Sequence, residues 1–297
     1  MKRSLALIII AACLAGGCAR QHPHSALTLV DDAGRRVALS AVPNRVVSLG
    51  PSITETVYAL GQQDRLVGVT SWCNYPPEAS RKTVVGDATS FNPERLLALA
   101  PDLVIMAGTA QSPALERLEA LGIPALVLDP RTPDDIIADI ELVGRALDTG
   151  LRADSLASGM RASLGRFRDS ADLVPAGRRP TVFAEIGSTP LFAAGPRSFL
   201  GQMIALAGGR AVPDDLPQDY AAVNPERVIG QDPDIILVLH PMATRGDVIT
   251  RIGWSRIAAV RNDRVHDGID LDIVLRPGPR FLQGVDQLRM IIDGQRP

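Results

Sequence analysis

The chain has 297 residues, with 31 Lys and Arg against 33 Asp and Glu, so its bulk charge indicates neither a nucleic-acid-binding protein nor an acidic tail. Apolar residues make up 46% and charged residues 22%, which is typical of a globular protein and not of a disordered or polytopic membrane protein. Aromatic residues are few, with 2 Trp, 3 Tyr and 6 Phe, so we expect an aliphatic core. Aromatic residues that gather outside it need a separate explanation.

The first predicted element is a secretory signal. A basic start precedes the apolar run Leu5–Ala15, which is too short to span a membrane as a stable helix. The residues Ala15-Gly16-Gly17-Cys18 then resemble a bacterial lipobox, in which the cysteine is lipidated and becomes the new N-terminus. We predict a lipoprotein-type signal segment over 1–18, lipidation at Cys18 and a tether over 19–26. Lipidation at Cys13 and simple cleavage with release are the alternatives.

The first half of the remaining chain reads as alternating strands and helices. Asp31–Gly34 indicates a hairpin turn, and the strand Val46–Leu49 leads into a helix that reaches Gly61. Ser52 and Glu55 have capping-box spacing, which predicts the start of that helix. Further strands are predicted over Leu66–Thr70, Val104–Met106 and Ala125–Leu128.

A long helical stretch follows. Thr132-Pro133-Asp134-Asp135 combines an N-cap, a first-turn proline and two acids near the positive end of the helix dipole. After a break at Asp148–Gly150, a second helix is predicted from about Leu151 to Leu173. A single long, rigid helix therefore joins the two halves of the chain.

The second half repeats the alternation. A strand is predicted over Thr181–Glu185, a helix over Phe199–Ala207, a strand over Ile235–Leu239 and a closing helix over Phe281–Ile292.

One helix-to-strand unit occurs twice, 132 residues apart. Asn92-Pro93-Glu94-Arg95 and Asn224-Pro225-Glu226-Arg227 each supply an Asn N-cap and a proline at the first helical position. Each helix leads to a Pro-Asp pair and an apolar run that predicts a buried strand. We therefore predict an α/β fold of two Rossmann-like lobes with mostly parallel central sheets, over residues 27–131 and 176–297, bridged by the helical linker 132–175.

Catalytic templates do not match. The sequence has no Gly-rich phosphate loop followed by Lys-Ser/Thr, no dinucleotide fingerprint and no Gly-x-Ser-x-Gly elbow. Beyond residue 26 it contains two histidines, His240 and His266, each near the end of a predicted strand, and one cysteine, Cys73. We predict no catalytic residues, no metal site and no internal disulfide.

Five segments carry a family resemblance: Arg45–Glu55, Val67–Glu78, Asn92–Arg95, Pro101–Val104 and Leu275–Arg280. Together they resemble the periplasmic cobalamin-binding proteins of ABC importers. Tyr75-Pro76-Pro77, within the segment Val67–Glu78, best distinguishes cobalamin binders from related iron-siderophore and haem binders, which usually lack it. The periplasmic cobalamin-binding proteins belong to the helical-backbone class of substrate-binding proteins, in which one long helix bridges two α/β lobes.

The resemblance implies a ligand cleft between the lobes. Flat aromatic and proline faces would cover the macrocycle, while Asp and Arg would hydrogen-bond its amides and nucleotide tail. Core packing is the alternative for each aromatic residue taken singly. Ala88 stands where such proteins can carry a cleft tryptophan. The implied ligand residues are Pro51 and Trp72 in the first lobe and Phe192, Tyr220, Asp272 and Arg276 in the second, with Tyr75 and Phe91 beside the cleft.

The paired glutamates Glu94 and Glu226 occupy matching positions in the two halves. A glutamate in the first turn stabilises a helix by itself, which is the alternative explanation for each copy. The resemblance implies that both dock onto arginines of a two-fold permease.

The implied function is that of a lipid-anchored protein of the periplasm or cell envelope that captures cobalamin or a related corrinoid and delivers it to an ABC permease dimer. Cobalamin is the transported ligand and no cofactor is expected, nor is nucleic acid a partner, and the undocked protein is expected to be a monomer. The bridging helix should limit lobe motion. A ferric-siderophore or haem carrier of the same fold is one alternative, and an envelope enzyme using the same cleft is another.

Overall fold

The computed structural model describes residues 27–87, 90–108 and 112–295. An antiparallel hairpin opens this part of the chain, formed by β1 (Leu27–Val30) and β2 (Arg36–Leu39). The predicted turn between them is confirmed, with Gly34 at a φ of +73° that favours glycine. The backbone N–H of Val127 donates to the buried carboxylate of Asp31 at 3.2 Å, which ties the hairpin to the first lobe.

The first lobe is built around a five-stranded parallel sheet with the order β5-β4-β3-β6-β7. The order reverses between β3 and β6, as it does in Rossmann-like sheets, where ligands bind beyond the carboxyl ends of the strands at this point. The elements are β3 (Val46–Leu49), α1 (Pro51–Ala59), β4 (Leu66–Thr70), β5 (Thr83–Gly86), α2 (Pro93–Ala98), β6 (Leu103–Ala107), α3 (Pro113–Ala120) and β7 (Ala125–Leu128).

The start of α1 differs from the sequence prediction. Gly50 is the N-cap residue, and no side chain caps the helix, so the predicted capping box of Ser52 and Glu55 is wrong. Pro51 already occupies the first turn, because a proline needs no N–H partner there. The Glu55 carboxylate accepts hydrogen bonds from Arg280 instead.

The linker consists of α4 (Pro133–Ala146) and α5 (Gly150–Asp172). The predicted capping box is confirmed, since the Thr132 hydroxyl accepts the N–H of Asp135 at 3.2 Å and the Asp135 carboxylate accepts the N–H of Thr132 at 2.8 Å. At 1.5 Å per residue, the 23 residues of α5 span about 34 Å. This long helix leads from the first lobe into the second.

The second lobe has a mixed sheet with the order β11-β9-β8-β12-β13, and β10 also pairs with β8. β8, β10, β12 and β13 run parallel, whereas β9 is antiparallel to both of its neighbours. The elements are β8 (Thr181–Ser188), β9 (Leu191–Ala194), α6 (Phe199–Leu206), β10 (Arg210–Val212), β11 (Tyr220–Ala222), α7 (Pro225–Gln231), β12 (Ile235–Val238), α8 (Arg245–Ile249), α9 (Ala258–Arg261), β13 (Val265–His266), α10 (Leu271–Val274) and α11 (Phe281–Ile292).

The duplicated unit is present in both lobes as α2 with β6 and α7 with β12. The side chains of Asn92 and Asn224 each accept a backbone N–H from the first turn, at 3.0 and 2.9 Å. Each helix is followed by a residue with positive φ, Ala100 at 41° and Asp232 at 44°. These two residues are also 132 positions apart, so the repeat extends to the way the helices end.

The Pro-Asp pairs do more than end the helices. The Asp102 carboxylate accepts the N–H of Arg45 at 2.9 Å, just before β3. The Asp234 carboxylate accepts the N–H of Thr181 at 2.8 Å, at the first residue of β8. Each aspartate therefore fixes the start of the central strand of its own lobe.

One apolar cluster is shared by both lobes and the linker. It includes Ile105 of the first sheet, Ile140 of α4, Leu164 of α5 and Phe281 of α11, all fully buried. Two further clusters pack against the other faces of the two sheets. The lobes are therefore connected by a continuous core as well as by the chain, and we keep the boundaries 27–131, 132–175 and 176–297 as a proposed division.

Candidate ligand-binding cleft between the lobes

The first-lobe candidates follow the carboxyl ends of parallel strands. Pro51 comes directly after β3 and Gly50, and Trp72 comes two residues after β4. Because these strand ends share one edge of the sheet, both residues lie at the edge that faces the second lobe. Trp72 is 59% exposed, which is unusual for so large an apolar side chain.

A cavity of about 470 Å³ lies between the lobes. Its first-lobe side is the segment that follows β7, and its second-lobe side comes from the starts of α6 and β11 and the segment after α10. Tyr220 is the predicted ligand residue that lines it. The lining residues are Asp129, Pro130, Arg131, Phe199, Gln218, Asp219, Tyr220, Leu275 and Pro277.

Tyr220 is partly exposed, and its hydroxyl is partly desolvated. The residue is 38% exposed, and partial burial raises the pKa of its hydroxyl above its ordinary value, an effect partly offset by hydrogen bonding with the Leu200 backbone and the Ser198 side chain. The hydroxyl therefore stays protonated at neutral pH, so the residue combines an apolar face with a polar tip.

Two other predicted aromatic residues are more enclosed. Phe192 is half-buried on β9, where it pairs with Ala222 of β11. Phe91 is only 6% exposed and belongs to the apolar cluster around Leu96. It also lines a small cavity of about 60 Å³, but its burial and its place in this cluster are those of a core residue.

Asp272 and Arg276 lie at the lobe boundary, but their polar atoms bind protein partners. The Asp272 carboxylate accepts from the Asn74 amide at 2.8 Å and from Arg276 at 2.7 Å. Arg276 also donates to the Asn74 side-chain oxygen at 2.7 Å and approaches Glu55 at 3.3 Å. The sequence placed both residues in the second lobe, and the structure adds that they bridge to the first.

Sequence reasoning missed three members of this group, Glu55, Asn74 and Arg280. Arg280 donates two hydrogen bonds to Glu55, at 2.8 and 2.7 Å, and its guanidinium lies 3.7 Å from the centre of the Tyr75 ring. All three lie within the segments that carry the family resemblance. That shared location was the available signal, but it does not show which residues touch.

The cavity rim carries charges of both signs. Arg131 donates to Asp129 at 2.7 Å, and this hydrogen bond, followed by the charge of Asp129, raises the pKa of the arginine. Asp219 also lines the cavity. The rim therefore offers both a cationic donor and acidic acceptors to a polar ligand.

An acidic group lies behind this rim. Asp139 of α4 is 7% exposed, and burial, followed by the charge of Asp32, raises its pKa to about 9. The Asp32 carboxylate also accepts the backbone N–H of Asp129 at 2.7 Å. Asp139 is therefore protonated at neutral pH and can donate a hydrogen bond to Asp32.

His240 belongs to a separate buried group in the second lobe. Its Nε2 lies 2.9 Å from Glu185, while its Nδ1 accepts the N–H of Met242 at 3.2 Å. Arg251 donates two hydrogen bonds to the same glutamate, at 2.6 and 2.7 Å. Within the described ranges, no group of three or more His, Cys, Asp or Glu residues has an arrangement suited to a metal ion.

Glu94 and Glu226 lie in the first turns of α2 and α7. Both are exposed, as a docking role requires. Cys18, the alternative Cys13 and the tether 19–26 lie outside the described residues, as does Ala88. In the part of the chain that is described, no helix combines the length and apolar character needed to cross a bilayer.

The sequence profile of periplasmic binding proteins matches residues 46–268. The chain belongs to this family. This is a family of substrate-binding transport proteins. The two lobes and the cleft between them are therefore the architecture of an ABC-type substrate-binding protein.

Two relatives match over most of their length. The chain is 30% identical to an uncharacterized ABC transporter substrate-binding lipoprotein, YvrC, of Bacillus subtilis, over 95% of this chain and 94% of the relative. It is 32% identical to a vitamin B12-binding protein of Pectobacterium carotovorum, over 84% and 89% of the two chains.

Two solved structures share the fold. The periplasmic vitamin B12-binding protein BtuF of Vibrio cholerae is 27% identical with a TM-score of 0.74, over 85% of this chain and 97% of that one. The periplasmic heme-binding protein RhuT of Roseiflexus is 30% identical with a TM-score of 0.73, over 84% and 97%. Similar folds therefore hold different ligands.

Proposed function

We propose that this protein captures cobalamin or a related corrinoid in the interlobe cleft and delivers it to an ABC permease. The observation that carries the proposal is the similarity over most of the chain to proteins named for vitamin B12 binding, in sequence and in fold. Parts of three of the five resemblance segments, around Glu55, Asn74 and Arg276, meet at the boundary between the lobes, which supports a shared ligand class.

The chemistry of the cleft suits a large, flat, amide-rich ligand. Exposed faces of Trp72 and Tyr220 supply apolar contact area with few rotatable bonds. Asp129 and Asp219 supply acceptors for amide N–H groups, and Arg131 supplies donors for carbonyl or phosphate oxygens. We propose the same ligand role for Pro51, Phe192, Asp272 and Arg276, with Tyr75 and Phe91 as secondary candidates.

The direct test is titration of the purified protein with cobalamin, followed by absorption and calorimetry. We expect saturable 1:1 binding, and we expect Trp72→Ala to weaken it by about tenfold or more, since loss of an aromatic contact of this size costs roughly 1.5 kcal/mol or more. Ile252→Ala is the matched control, because Ile252 is another large, exposed apolar residue, 98% exposed, and lies outside the segments that carry the family resemblance. Absence of binding by the wild-type protein would refute the ligand assignment.

A haem carrier is the second candidate, favoured by the 30% identity to a heme-binding protein of the same fold. Tyrosine can ligate haem iron, and Tyr220 lines the cavity. Titration with haemin and with a ferric siderophore, under the same conditions, separates these ligands. A Soret shift that is lost in Tyr220→Phe would favour haem, whereas cobalamin binding that survives this substitution would favour the corrinoid.

We also propose a lipid anchor at Cys18 and permease docking through Glu94 and Glu226. The similarity to a lipoprotein over 95% of the chain supports the anchor. Metabolic labelling with a clickable fatty acid tests it, because label should be incorporated in wild-type protein and in Cys13→Ser but not in Cys18→Ser. Labelling that is lost only in Cys13→Ser would move the anchor to that residue.

A further inference from the structure

The segment Leu275–Arg280 contacts both the cavity and the first lobe. Leu275 and Pro277 line the cavity between the lobes. The alternate residues Arg276, Gly278 and Arg280 contact the first lobe. One short segment of the second lobe is therefore both a wall of the cleft and a contact across the lobe boundary.

The contact across the boundary converges on Glu55 of α1. Its side chain is 2% exposed, and it accepts a bidentate pair of hydrogen bonds from Arg280, at 2.8 and 2.7 Å. Arg276 approaches the same carboxylate at 3.3 Å. Charge-assisted bidentate bonds are strong and fix geometry, and a buried arginine that loses its carboxylate is costly.

The backbones also meet closely here. A Cβ atom added to Gly278 would lie 3.0 Å from the Cβ of Ser52, so the segment rests directly on the first turn of α1. Around this contact, Asn74 donates to Asp272 at 2.8 Å and accepts from Arg276 at 2.7 Å. The segment is thus held from the side of α1 and from the loop after β4.

We propose that Glu55 is a positioning residue for ligand binding. By holding Arg276 and Arg280, it keeps Leu275–Arg280 against α1, so that the cavity wall formed by Leu275 and Pro277 is in place before the ligand arrives. The role in affinity rests on the proposed function, whereas the holding of the segment is a property of the unliganded protein. Loss of Glu55 lowers the fraction of molecules with a formed wall, and apparent affinity falls in proportion to that fraction.

The experiment compares the full-length Glu55→Gln protein with wild type by hydrogen–deuterium exchange without ligand. We expect faster exchange confined to the facing segments 51–59, 72–75 and 271–281. Glu141→Gln is the matched control, because Glu141 also forms a bidentate pair with an arginine, Arg161, but within the linker. Unchanged exchange in the facing segments, or a uniform increase along the whole chain, would overturn the proposal.

The second arm measures cobalamin binding by the same proteins. We expect Glu55→Gln to raise the dissociation constant about tenfold, as it would if the competent fraction fell to about one tenth. Arg280→Lys should fall between wild type and Glu55→Gln, since lysine keeps the charge but not the bidentate geometry. Equal dissociation constants in wild type and Glu55→Gln would overturn the role in binding. If wild type does not bind cobalamin, the proposed function is wrong, and the exchange arm alone decides whether Glu55 holds the segment.

Discussion

Replacing Asp139 by Asn should change the pH dependence of stability. Asp139 is buried beside Asp32, and burial, followed by the charge of that neighbour, raises its pKa from 3.8 to about 9. Between these two pH values the folded protein keeps a proton that the unfolded chain has released. Each rise in pH therefore favours the unfolded state, and this contribution to stability is lost progressively as pH rises.

The size of the effect follows from the same linkage. One proton of difference changes the free energy of unfolding by about 1.4 kcal/mol per pH unit. The contribution of Asp139 to that free energy therefore falls by about 4 kcal/mol between pH 5 and pH 8. Asparagine cannot ionise, but its amide can donate a hydrogen bond to Asp32 as the protonated acid does. The Asp139→Asn protein should therefore become more stable relative to wild type as pH rises.

Urea unfolding at pH 5, 6, 7 and 8 measures this difference. Asp154→Asn is the control, because Asp154 is an exposed carboxylate on α5. The control and wild type should give parallel curves. If Asp139→Asn also runs parallel to wild type, within a few tenths of a kcal/mol, Asp139 is ionised in the folded protein and the reasoning fails.

Three further outcomes are expected. Gly144→Ala should lower the urea midpoint, because its new methyl group would overlap the facing helix α5, whereas Gly159→Ala, into open space, should raise it slightly. Phe91→Ala should cost about 3–5 kcal/mol of unfolding free energy, as expected for a buried phenylalanine, and a near-zero change would contradict its core role. Charge reversal of both Glu94 and Glu226 should abolish uptake while leaving cobalamin affinity unchanged in titration, and retained uptake would refute the docking hypothesis.

Local sequence patterns such as helix caps predicted much of the fold, because each pattern lies within a few residues of the helix start or turn that it determines. The paired Asn-Pro starts at Asn92 and Asn224 and the capping box at Thr132 are confirmed. The same reasoning was wrong at Ser52 and Glu55, where the spacing fits a capping box but the carboxylate binds an arginine 225 residues away. The spacing of residues in the sequence does not show whether a carboxylate will cap its own helix or bind a distant arginine.

The candidate site shows the same division. Trp72 and Tyr220 were predicted to lie outside the core, and both are exposed at the lobe boundary. Phe91 follows β5 in the sequence, as a cleft residue could. In the structure it belongs to the apolar cluster that includes Leu96 of α2 and Met106 of β6, so it is enclosed in the first lobe. Two partners of Arg276, Glu55 and Asn74, come from the other lobe, so these hydrogen bonds could be assigned only once the lobes were placed together.

The core that runs through both lobes and the linker also bears on how the chain unfolds. Because Ile105, Ile140, Leu164 and Phe281 belong to one apolar cluster, separating the lobes would expose hydrocarbon surface on both. Each half of the chain therefore depends on the other to shield this apolar surface from water. The two lobes resemble independent domains in their sheets, but because they share this cluster we expect them to unfold together, so that damage to packing in either lobe lowers the stability of both.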